Sequence, residues 1–157
     1  VDADKPFAKG VAELSARLPH RADLIEAYWQ RWPETLNGTF DDTLAIVEEL
    51  RASGLPLYVI SNWSRETWHH ATDRFAFLDW FDDLVISGLE GVAKPDPEIF
   101  HLARRRFGVE PARTLFIDDH EVNVDSARAL GFQAVQFTTA DALRRVLDGL
   151  NLPGGRP

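Results

Sequence analysis

Cysteine is absent from this 157-residue sequence, which excludes a disulfide framework, a thiolate nucleophile and any cysteine-ligated metal. No run of 18 apolar residues occurs and no segment is patterned as a secretory signal, so a membrane-spanning helix is not expected and a cytoplasmic location is. Positive charge is scarce: 17 Lys and Arg stand against 25 Asp and Glu, a formal net charge of −8. A broad phosphate-backbone footprint is therefore not expected, and neither nucleic acid nor membrane is expected as a partner, although one local basic pocket stays compatible. Internal repeats are missing too, and only PGGRP (153–157) reads as a flexible end.

What is present is ordinary globular material, 45% hydrophobic and 27% charged. The length suits one main unit with a sizeable core and a small accessory lobe. From about Leu55 onward, β-rich runs alternate with amphipathic helical runs, which argues for crossover units and a parallel sheet. The strand runs are LYVIS (57–61), DLVIS (83–87), TLFID (114–118) and QAVQF (133–137). Helices are predicted over 42–53, 64–74, 97–107, 121–130 and 140–149, with Gly108 and Gly131 placed as C-caps. Residues 1–40 differ in kind: two helices are predicted, 7–18 and 22–32, with no strand between them. The second carries Tyr28, Trp29 and Trp32, rings that either pack the lobe's own core or line a cleft.

In a parallel α/β sheet, ligands gather beyond the carboxyl ends of the strands. Asp118 and Asp119 stand side by side at such an end, where two like charges need a compensating cation or donor. A hard divalent ion such as Mg²⁺ would provide it, and an N-cap role for one of the pair is the plainer alternative. Ser61 and Asn62 end the first strand run with groups able to donate to an anion, again with N-capping as the alternative. Lys94, ahead of Pro95 and Pro97, is presented from a restricted loop or is a solvated surface charge. Taken together, hydroxyl and amide, lysine and paired carboxylates describe a site for phosphate plus Mg²⁺.

VISN (59–62), AKPDPEIF (93–100) and FIDDHEVNVDSARALGF (116–132), in this order and spacing, resemble the second, third and fourth motifs of the haloacid dehalogenase superfamily of hydrolases. The resemblance covers roughly residues 42–149. It implies a Rossmann-like three-layer sandwich with a parallel sheet, residues 41–152 as the core and 1–40 as part of a small helical cap. Carried onto this sequence, it implies that Ser61 contacts the transferring phosphoryl group with Asn62 beside it. Lys94 would neutralise the phosphate and the nucleophile, Asp119 would ligate Mg²⁺, and Asp118 would support the metal shell. Asn123 falls where the family often has an aspartate orienting metal-bound water. Caps of this family set substrate choice, which makes Trp29 and Trp32, with Trp63 beside Asn62, the candidate substrate-binding residues.

The family's first motif, an apolar strand followed by Asp-x-Asp, is not found. Asp2 and Asp4 in VDAD have the spacing but no preceding strand. In the family that strand is central, between those ending at Ser61 and Asp118, and without it two backbone edges would stand unpaired. The expectation is an additional N-terminal segment in the natural protein, with this chain alone inactive. Were the chain complete, the two neighbouring strands would pair directly or borrow a strand from a second copy. The paired aspartates resemble the metal-dependent phosphatase branch, implying an aspartyl-phosphate route on a small phosphorylated metabolite, in a monomer or homodimer. A 2-haloacid dehalogenase-like hydrolase and a catalytically inactive binding protein are the alternatives. His69 and His70 read as surface or packed residues, and Arg104 to Arg106 as a solvated basic face.

Overall fold

The computed structural model describes residues 6–150, so Asp2, Asp4 and the 153–157 tail lie outside the described residues. The chain opens with helices α1 (Phe7–Arg17) and α2 (Ala22–Gln30), which pack on each other. The predicted 22–32 helix stops early and passes into a 3₁₀ turn, Trp32–Thr35. Pro33 accounts for the stop, because it has no N–H to give and disfavours helical geometry at Trp32.

The α-helices and strands that follow are α3 (Asp41–Ala52), β1 (Tyr58–Ser61), α4 (Trp68–Arg74), β2 (Asp83–Ile86), the single turn α5 (Ser87–Glu90), α6 (Pro97–Phe107), β3 (Leu115–Asp118), α7 (Glu121–Ala129), β4 (Gln133–Gln136) and α8 (Ala140–Gly149). Helix α6 forms where its punctuation dictates. The Asp96 carboxylate caps it by accepting from the Glu98 N–H at 2.9 Å, Pro97 occupies the first turn, and Gly108 closes it at φ +66°.

The strands form two parallel pairs, β1 with β2 and β3 with β4. The pairing is in step, from Tyr58 opposite Asp83 to Ser61 opposite Ile86, and from Leu115 opposite Gln133 to Asp118 opposite Gln136. Among the described residues β1 and β3 do not pair with each other, so direct pairing, one of the two arrangements expected of a complete chain, does not occur. Successive residues of a strand turn their backbone groups to opposite sides. The Leu57 carbonyl faces β2, accepting from Asp82 N–H at 2.8 Å, which turns Tyr58 and Ile60 to the other edge. The Thr114 and Asp118 carbonyls face β4, which likewise turns Leu115 and Ile117 away from it.

Alternation across the pleat divides the core into two layers. Phe116 and Ala134 point into a cluster with Val85, Ile99, Phe100, Ala103, Ala127 and Phe132, formed largely by α6 and α7. Their neighbours Ile117 and Val135 point into a cluster with Ile46 of α3 and Ala140 and Leu143 of α8. The architecture is thus a Rossmann-like α/β sandwich of helices, parallel strands and helices.

Phe100 couples the two strand pairs. Its ring, 1% exposed, meets Phe116 of β3 edge-on at 5.2 Å and lies in the same cluster as Val85 of β2 and Ile60 of β1. Phe100→Ala is therefore expected to lower the unfolding free energy by about 3–5 kcal/mol in urea titrations. A loss under about 1 kcal/mol would show that this helix does not hold the pairs together.

Candidate active site

The carboxyl ends of β1 and β3 open on a cavity of about 260 Å³ lined by Ser61, Asn62, Lys94, Asp118, Asp119, His120 and Asn123. Six of these were expected from the sequence. His120 was missed, and its only sequence signal is its place between Asp119 and the start of α7.

The two aspartates stand in different environments. Asp118, the last residue of β3, is 7% exposed and both its carboxylate oxygens are engaged. One oxygen accepts from Lys94 Nζ at 2.6 Å. The other accepts from the His120 backbone N–H and from Asn123 Nδ2, both at 2.9 Å. Asp119 is exposed, with His120 Nε2 at 3.7 Å from its carboxylate, and its carbonyl accepts from Gln136 Nε2 at 2.9 Å.

Lys94 is the cation of the site. Its ammonium donates to the Ile60 carbonyl at 2.7 Å as well as to Asp118, and so spans the separation between β1 and β3. Its side chain is 11% exposed, which excludes the solvated-surface alternative. Three elements hold its loop: Asn62, the Ser126 hydroxyl of α7, which donates to the Pro95 carbonyl at 2.7 Å, and the capped start of α6. Asn62 accepts from the Lys94 N–H and donates to the Lys94 carbonyl, both at 2.8 Å. Both ends of its amide are thereby committed to Lys94's backbone, so Asn62 acts on the site through Lys94, while the Ser61 side chain lines the cavity.

No helix begins directly after Ser61. The predicted helix 64–74 starts only at Trp68, because Ser64 to Thr67 form a turn closed by Thr67 N–H on the Ser64 carbonyl at 3.2 Å. A helix terminus therefore adds nothing at Ser61.

None of the three candidate tryptophans lines the cavity. Trp29 stacks on Phe7 at 4.6 Å inside the helical lobe. Trp32 instead meets Trp63 edge-on at 5.7 Å and His70 at 6.0 Å, while Trp63 meets Trp68 at 5.6 Å. This aromatic group, with a hydrogen bond from the Phe7 N–H to Glu66, joins the lobe to the loop after β1. The buried Trp63 indole N–H has no oxygen or nitrogen partner among the described residues.

The site's oxygen donors suit a hard cation. Asp119 offers the exposed carboxylate, and Asn123, its nitrogen spent on Asp118, could offer only its amide oxygen. Among the described residues no group of three or more His, Cys, Asp or Glu is gathered around one point, so further ligands would have to be water or an incoming group.

A profile of the haloacid dehalogenase-like hydrolases matches residues 4–131. The chain belongs to this family. A sesquiterpene phosphatase of Aspergillus oryzae is 29% identical over 110 residues, covering 70% of this chain and 55% of that protein. The (S)-2-haloacid dehalogenase H-109 of Pseudomonas putida is 33% identical over 95 residues, 58% of this chain and 41% of that protein. A haloacid dehalogenase family enzyme of Bacteroides thetaiotaomicron, solved with magnesium and inorganic phosphate, is 30% identical with a TM-score of 0.56, covering 60% of this chain and 50% of that one. The chain thus spans about half the length of these relatives. No helix among the described residues is long and apolar enough to cross a membrane.

In this haloacid dehalogenase-like chain, burial pushes the Asp118 carboxyl up. Hydrogen bonds from Lys94, Asn123 and the His120 N–H, with the Lys94 charge, outweigh that and hold it below the usual carboxylate range. A carboxyl depressed in the folded state stabilises fully above its unfolded pKa and ceases to do so as pH falls through the folded one. The stability gap between the parent protein and Asp118→Asn should therefore be flat near neutrality and narrow below about pH 4. Lys94→Met, which strands a buried carboxylate, is expected to cost about 3 kcal/mol, and the double variant clearly less than the sum. Additive losses in denaturant titrations would show that the two groups do not act as a pair.

Proposed function

We propose that the protein carrying this chain is a Mg²⁺-dependent phosphatase of a small phosphorylated metabolite. The observation that carries this reading is the Lys94 ammonium, held between the Ile60 carbonyl and Asp118 beside Ser61 and Asp119. A fixed cation and a hydroxyl converge there on one small polar cavity, as a transferring phosphoryl group requires.

The attacking carboxylate enters, in this proposal, on a strand that pairs with the Tyr58 and Ile60 edge of β1 and the Leu115 and Ile117 edge of β3. That carboxylate attacks phosphorus as the ester P–O bond breaks, the ester oxygen leaves with a proton from the second aspartate of the same Asp-x-Asp segment, and water then attacks the acyl phosphate, freeing the carboxylate and releasing inorganic phosphate. Ser61 donates to a phosphoryl oxygen, and Lys94 neutralises the anion and the attacking carboxylate as they approach. Asp118 keeps Lys94 aimed at the cavity. Mg²⁺, held by Asp119 with Asn123 behind it, would neutralise phosphoryl charge.

We assign residues 1–40 to a helical cap and 41–152 to the core, a division supported by the position of all four described strands beyond residue 57. Trp32 and Trp63 are the cap-side candidates for substrate choice because they meet at the joint between the two parts. Trp29 is better read as lobe packing, given its stack on Phe7.

The 33% identity to a 2-haloacid dehalogenase motivates the second reading. The two separate in one assay series on the full-length protein, with p-nitrophenyl phosphate and 2-chloropropionate as substrates. Phosphate release that needs Mg²⁺, stops with chelator and falls by at least about 10²-fold in Asp119→Ala is expected. Chloride release that persists in chelator, without phosphate release, would assign the protein to the dehalogenases. Silence on both, with phosphate still bound, would point to a binding protein.

A further inference from the structure

Ser87 and Gly88 follow β2 on the single turn α5, line no part of the cavity and are buried, Ser87 to 4% exposure. Both grip the loop that carries the end of the Ser61–Asn62 pair. The Trp63 N–H donates to Ser87 Oγ at 3.0 Å, and the Gly88 N–H donates to the Trp63 carbonyl at 3.0 Å. The Arg65 guanidinium donates back to the carbonyls of Gly88 at 3.0 Å and Leu89 at 2.9 Å.

The approach is too close for any side chain at position 88. A Cβ there would stand 2.3 Å from Arg65 N, 2.6 Å from the Trp63 oxygen and 2.9 Å from Ser64 C. All three are backbone atoms, so no side chain can swing aside to make room; the loop itself would have to move.

Movement of this loop reaches the cation of the site by a short covalent and hydrogen-bonded route. Trp63 follows Asn62, the Asn62 amide clasps Lys94 N and O, and Lys94 Nζ holds Ile60 and Asp118. We infer that Ser87 and Gly88 are positioning residues that seat the loop after β1 so that Asn62 can hold Lys94 across the separation between β1 and β3. The inference concerns the placement of Lys94 and stands whether the site is a phosphatase, a dehalogenase or a binding site.

The chain has three lysines, Lys5, Lys9 and Lys94, and Lys9 is exposed on α1, which allows a readout independent of activity. The full-length protein is treated with a limiting amine acylating reagent, and acylation of Lys94 relative to Lys9 is followed by peptide mass spectrometry. In the parent protein Lys94 should react far more slowly than Lys9. Gly88→Ala should raise the Lys94 to Lys9 ratio about tenfold, and Ser87→Ala should raise it less, in the same direction. Asn62→Ala should raise it as well, and adding Gly88→Ala to that variant should change little further. A core variant away from this loop, Ile46→Val, controls for general loosening and should leave the ratio at the parent value. A folded Gly88→Ala with the parent ratio overturns the inference, as does an equal rise in Ile46→Val. Should Gly88→Ala not fold, Ser87→Ala decides: an unchanged ratio overturns the inference and a raised one supports it.

Discussion

Two pairs of parallel strands are bridged at the site by the contacts of one lysine. Lys94 reaches from a loop between β2 and β3 to the Ile60 carbonyl on one pair and the Asp118 carboxylate on the other. A buried ion pair of this kind is weak evidence for stability, because removing both charges from water costs about what their attraction returns. It is retained at a cost that apolar residues would not incur, and what it provides is position. The cation is set at the strand ends, where α6 and its Phe100 have already brought the two halves into one core. Packing supplies the cohesion, and the ion pair fixes where the charge stands.

Around Lys94 the polar groups are spent on one another in an order that leaves few degrees of freedom. Asn62 gives both ends of its amide to the lysine's backbone, and Asn123 gives its nitrogen to Asp118. Ser61 and Asp119 line the same cavity, one partly and one largely exposed, with no such bond to Lys94 or Asp118 from their side chains. A division of labour follows from hydrogen-bond capacity alone. Residues whose donors and acceptors are consumed internally can only position, and those with unused capacity can meet a ligand.

Much of the core was legible in the sequence because its signals are local. The Asp96–Pro97 start and Gly108 end of α6 specify the helix without reference to anything distant, and strand runs such as DLVIS are bounded within a residue. Of the six candidate polar residues, Ser61, Asn62, Asp118 and Asp119 sit at a strand end or the turn beside it, and a parallel sheet gathers such ends on one side; Lys94 joins them from the loop before α6 and Asn123 from the first turn of α7. What was not legible depends on tertiary partners. Residues 64–67 have helix-compatible composition, yet the preceding Trp63 bonds to Ser87 and Gly88 from 24 and 25 positions further on, and the helix waits until Trp68. Trp29 and Trp32 read with Tyr28 as one aromatic group on a single helix, whereas Pro33 breaks α2 and sends Trp29 to Phe7 and Trp32 to Trp63. His120 carried no periodic signal, and Asn62 could not be told from a substrate ligand without the Lys94 backbone beside it.

The adjacency of Asp118 and Asp119 finds its explanation in the pleat. Consecutive residues at a strand end project to different sides, so two neighbouring carboxylates can be placed in unlike surroundings at no cost in chain length. Asp118 turns inward, where one ammonium, one amide and one backbone N–H neutralise it. Its charge is then largely cancelled as seen from its neighbour, and Asp119 can stand exposed without facing a full like charge at close range. Neither a lone aspartate nor two equivalent ones would achieve this. One carboxylate must be consumed to hold the cation before the next can be offered to a ligand.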